Sequence, residues 1–129
     1  MGAWGTGSFE NDDAVKWIAG LDAITPEELM RILTRAADDP EYLEAPAARI
    51  AVAAGEVVAA LNGSVAESAP AKVGEWAGRH AGTPELKAAA ARALERVRRN
   101  SEVKDLWMEA DGLNEWVAVV KELQGRVGG

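Results

Sequence analysis

The chain has 129 residues, the length of one domain with a sizeable core. With 48% hydrophobic and 27% charged residues it reads as a globular protein, and the lack of cysteine excludes disulfides, thiolate chemistry and cysteine-based zinc sites. A net charge of −7 repels a phosphate backbone and so argues against nucleic acid.

The acidity is uneven: residues 1–50 carry ten acids against four bases. No leader of signal-peptide type opens the chain. The longest apolar stretch, Ile50 to Leu61, is interrupted by Gly55 and Glu56 and is too short to span a bilayer. These features predict a soluble, cytoplasmic chain that needs no membrane.

In chain order, Trp4 and Phe9 lie on a glycine-rich strip that ends at Asn11-Asp12. Two large aromatics there predict an ordered tail docked into the domain, or else a recognition surface. Ala14, Trp17, Ile18 and Leu21 recur at helical spacing, with Asn11 or Asp12 as the N-cap. Thr25-Pro26-Glu27-Glu28 supplies a cap, a first-turn proline and an acid three residues on. It opens a helix that buries Leu29, Ile32, Leu33 and Ala36 and stops at Asp38-Asp39-Pro40. Pro46 to Leu61 is apolar almost all round, which predicts the central helix of the fold.

Beyond a polar loop from Asn62 to Ala69, a short helix from Pro70 to His80 carries Val73 and Trp76. Thr83-Pro84-Glu85 starts the next, with Leu86, Ala90, Ala93, Leu94 and Val97 inward. Ser101 caps a segment bearing Val103, Leu106, Trp107 and Ala110. Asp111-Gly112 then breaks the helix, with Trp116, Val120 and Leu123 on a final one, or a single helix runs through 101–124. No stretch alternates apolar and polar as a strand does. The expectation is a single all-α domain over residues 1–129, a bundle of about six helices around the alanine-rich one.

The motifs carry little chemistry. Gly5-Thr6-Gly7-Ser8-Phe9-Glu10 begins like a dinucleotide fingerprint, but no strand precedes it and Glu10 stands in place of the third glycine. Asp12 and Asp13 behind it would repel a pyrophosphate. The start Met1-Gly2 fits a loose myristoylation pattern without the basic patch that stable anchoring needs. Asn11, Asp12 and Asp13 lack the alternating acidic pattern of a calcium loop and read as helix capping. His80, the only histidine, has no serine or aspartate tied to it by spacing and reads as structural.

Arg49 and Glu56, seven apart, fall on nearly the same side of the apolar helix; they edge the solvent or form a partly buried pair. Glu56 reads as a structural anchor in preference to a general acid or base. Arg92, Arg96 and Arg99 form the one basic patch, for an acidic partner, for the chain's own acidic half, or simply a solvated face. Trp17, Trp76, Trp107 and Trp116 occupy core-like positions. No catalytic residue, metal ligand set or cofactor is predicted.

The opening Trp4-Gly5-x-Gly7-x-Phe9-x-Asn11-Asp12 resembles that of the bacterial domain of unknown function 4259 family. So do Tyr42-Leu43-Glu44, the stretch from Ala53 to Ala60, Ser101-Glu102 with Leu106-Trp107, and Trp116 with Leu123. The likeness spans nearly the whole chain; Gly55 departs from it, standing where alanine is expected. It implies no activity, but it marks Trp4, Gly5, Gly7, Phe9, Asn11, Asp12 and Glu56 as one set.

The leading expectation is a non-enzymatic protein-interaction module, by analogy an immunity or antitoxin type meeting a basic toxin. The rival is an enzyme or small-ligand binder with a polar pocket near the strip and Glu56. A third reading is a homo-oligomer joined through apolar helix faces.

Overall fold

The computed structural model describes residues 2–128. Among them are seven α-helices: α1 (Asp12–Ala19), α2 (Pro26–Asp38), α3 (Ala45–Leu61), α4 (Ala71–Arg79), α5 (Pro84–Arg99), α6 (Glu102–Glu109) and α7 (Leu113–Gly128). A 3-10 turn, Leu21–Ala23, joins α1 to α2, and the one β-contact among these residues is an antiparallel bridge between Ala3 and Asn11. The protein is an all-α bundle.

Local chemistry sets the helix starts. Asn11 Oδ1 accepts from Ala14 N at 2.8 Å, and Asp12 and Asp13 fill the first turn of α1. Thr25 and Thr83 cap α2 and α5 in the same way, each followed by proline at the first helical position. Ser101 caps α6 through Lys104 N and also donates its hydroxyl to the Val97 carbonyl, so a fully buried serine is satisfied twice.

The segment after Ser101 is two helices. Asp111 takes a left-handed φ of 63°, which ends α6, and Gly112 follows against the Trp107 ring. A Cβ on Gly112 would come 2.6 Å from Trp107 Cε3, so only glycine fits without displacing the indole.

The core gathers on α3, where every residue from Ala51 to Ala60 is buried. Helices α1, α2, α4, α5, α6 and α7 all pack against it. Alanines bring these neighbours close, and Gly55 marks the tightest approach: a Cβ there would sit 3.1 Å from both Leu94 methyls on α5. The residue that departs from the expected alanine is thus at a helix crossing. Trp76 and Trp116 are buried, whereas Trp17 and Trp107 lie partly buried against the core. No helix among the described residues is long and apolar enough to cross a membrane.

Candidate functional site

The N-terminal strip is a small hairpin. Trp4 N donates to Glu10 O at 3.0 Å, Asp12 N to Gly2 O at 2.6 Å and Glu10 N to Gly7 O at 3.1 Å. Gly5 and Gly7 wrap the Glu10 carboxylate, which accepts from Gly7 N at 2.9 Å; a Cβ on either glycine would stand 2.6 Å from Glu10 Oε1. The glycines hold this chain's own carboxylate, with no phosphate cradle.

The pleat sorts the side chains. Ala3 and Asn11 oppose one another with Asn11 facing inward, so the adjacent pair, Trp4 and Glu10, faces out. Trp4 is 62% exposed while Phe9, at the turn, is buried. Of the two expectations for the strip, docking into the domain holds for Phe9 and not for Trp4, because the Ala3–Asn11 pairing turns the Trp4 side chain to the outer face. Between the hairpin and α3, α6 and α7 only a void of about 20 Å³ remains, room for a single water.

Glu56 is buried at the centre of a polar network. Its carboxylate is gripped by both terminal nitrogens of Arg126, each at 3.0 Å, and accepts from the Ser8 hydroxyl at 2.6 Å. Arg126 completes its fork with Nε to Glu122 at 2.7 Å and Nη1 to the Ser64 carbonyl at 3.2 Å. The hydrogen bonds that Arg126 donates to Glu122 and then to Glu56 push its guanidinium further above its already high range.

The anticipated relation of Arg49 to Glu56 is not what forms. Arg49 bonds Asp13 at 3.2 Å, bracing α3 against α1, while Glu56 turns to α7. The missed partner is Arg126: a carboxylate inside an apolar helix calls for a cation, but Lys121 and Arg126 both adjoin the apolar row Val120, Leu123 and Val127, so the sequence did not single out Arg126.

Ser8, Glu56 and Arg126 line one end of an open groove of about 500 Å³, with Val65, Glu67 and Glu122 among its other walls. Glu56, Glu122 and Arg126 are bonded to one another within the chain. Asn11 and Asp12 do not line this groove; Asn11 is committed to capping, and Asp12 lies exposed at the first position of α1.

The basic patch is also tied up. Arg92 pairs with Asp38, and Arg99 with Glu95. Arg96 reaches the carbonyls of Asp39 and Glu41, each at 2.7 Å, and of Asn100 at 3.0 Å. The chain's own acidic half thus takes Arg92 and Arg96. His80 stacks on Trp76 with ring centroids 4.0 Å apart, its Nδ1 2.9 Å from the Trp76 carbonyl.

Residues 2–119 match the model of the family described as a domain of unknown function, DUF4259. Arg126 lies beyond that span. No curated protein and no solved structure matches the chain. The match covers most of the chain, so the protein belongs to the DUF4259 family.

Proposed function

We propose that the domain is a protein-binding module in which Trp4 is an anchor. The observation that carries this reading is a tryptophan 62% exposed on a hairpin that backbone hydrogen bonds and a buried Phe9 hold in place. A hairpin already ordered has little backbone freedom left to lose on docking, and tryptophan is enriched among residues that dominate interface energies. The acidic first half supports a basic partner, in keeping with an immunity- or antitoxin-type role in a bacterial cytoplasm.

The test is capture from the native host with the parent protein and Trp4→Ala, after melts show both equally folded. A basic protein retained by the parent and depleted at least tenfold with the variant supports the reading; identical captured sets overturn it.

A small-ligand site is the second reading, favoured by the groove that reaches Ser8, Glu56 and Arg126. A ligand there would have to compete with the Glu56–Arg126 bridge. Saturable binding of a small anion, abolished by Arg126→Gln in a folded variant, would establish it.

A further inference from the structure

The nine arginines of the chain divide unevenly. Seven bond to carboxylates or carbonyls: Arg49, Arg79, Arg92, Arg96, Arg98, Arg99 and Arg126. The other two, Arg31 and Arg35, have no ion pair or side-chain hydrogen bond among the described residues. They stand one turn apart on α2, where like charges at this spacing repel. Both are exposed, in a protein rich enough in acids to pair the rest.

These two arginines rim a trough between α2 and α3. Its floor is Ile32, Ala36, Leu43, Ala47 and Ile50, and it encloses about 280 Å³. That is slightly below the usual range of small-molecule pockets, about 300–1,000 Å³, and its shape is that of a seam between two helices. From Glu28 to Asp39 the rim runs about 16 Å, the length of three helical turns. No residue of the N-terminal hairpin lines it.

We propose that this trough docks an amphipathic helix of a protein partner, whose apolar face fills the seam and whose carboxylates meet Arg31 and Arg35. Charge decides the occupant. Along α2 the rim reads Glu28, Arg31, Arg35, Asp39, a pattern of acid, base, base, acid. A second copy packed across a two-fold axis at the centre of this rim sets acid against acid and arginine against arginine, which disfavours self-association there. A helix with Asp or Glu midway along one flank meets both guanidiniums, and a row of apolar residues at i, i+3 or i+4 and i+7 meets the floor. The inference uses a face separate from Trp4 and stands or falls apart from it.

The probe is a phage-displayed library of helical 14-residue peptides, panned on the full protein and followed by fluorescence anisotropy of the enriched sequences. The expected winners carry the apolar row with acids on one flank. Arg31→Glu/Arg35→Glu should weaken them at least tenfold, and Ala47→Lys, at an exposed site on the floor, should do the same by plugging the seam. Ala47→Lys should melt like the parent. Arg31→Glu/Arg35→Glu sets like charges beside Glu27, Glu28, Asp38 and Asp39, so it should melt somewhat lower but stay folded at the assay temperature. Neither variant disturbs a buried group, and Trp4→Ala should leave peptide affinity unchanged. Three results overturn the proposal: no enrichment over an unrelated helical bundle, enriched peptides that bind the charge-reversed protein equally well, or a dimer in sedimentation that charge reversal dissolves.

Discussion

Trp4 and Phe9 share one hairpin and meet opposite environments. The strip was legible in the sequence as ordered, from its glycines and the Asn11 cap. Which aromatic is buried was not, because that depends on the pairing of Ala3 with Asn11. The energetic consequence is direct. Phe9→Ala should cost about 3 kcal/mol, the usual loss for truncating a buried aromatic, whereas Trp4→Ala should change stability by less than about 0.5 kcal/mol, as at other exposed sites. Urea unfolding of the two variants beside the parent checks this. If Trp4→Ala proves the more destabilising, the hairpin packs the other way round and Trp4 is no anchor.

Helix boundaries followed the sequence closely because they are set by neighbours in the chain: Thr25, Thr83 and Ser101 cap where their spacing to the next acid, proline or apolar row indicated. What the sequence hid was which helix meets which. Gly55 reads in isolation as a weak point in α3, yet it lies under Leu94 of α5. Glycine→alanine in a helix is ordinarily favourable by about 1 kcal/mol; here a larger side chain must push α5 away. Gly55→Val should therefore destabilise by about 1–3 kcal/mol, the range for overpacking a core, with helical content by circular dichroism retained; a variant melting above the parent would show that α3 and α5 have slack between them.

Contacts between α5 and α7 carry an acid-sensitive element. Glu95 on α5 accepts from Gln124 on α7 at 2.9 Å, from Arg98 at 2.8 Å and from Arg99, and these bonds, that from Gln124 foremost, hold its carboxyl down to about 2 from an ordinary 4.5. The unfolded chain takes up this proton first as the pH falls. The contribution is thus whole above about pH 4.5 and lost progressively down to about pH 2. Melting temperatures of the parent and Glu95→Gln should converge across that window; a gap that stays constant with pH would assign the difference to packing.

At the scale of the whole molecule, both described ends of the chain close over one residue. Ser8 from the N-terminal hairpin and Arg126 from α7 converge on Glu56 at the centre of α3, and Arg126 also holds the Ser64 carbonyl of the loop that follows α3. Partners 70 residues apart leave no periodic trace, which is why the need for a cation was readable from Glu56 and its identity was not. Arg126→Met should cost about 2–4 kcal/mol, since removing one member of a buried pair strands the other's charge, here with some relief from the Ser8 hydroxyl and the open groove. Glu56→Met/Arg126→Met should recover much of that loss, because an apolar pair of similar volume suits the alanine- and valine-rich surroundings of α3. Urea unfolding of the two single variants and the double one measures the coupling directly. Near-additive losses would show that Glu56 and Arg126 act independently, and that the hairpin and α7 are held to α3 by their apolar faces alone.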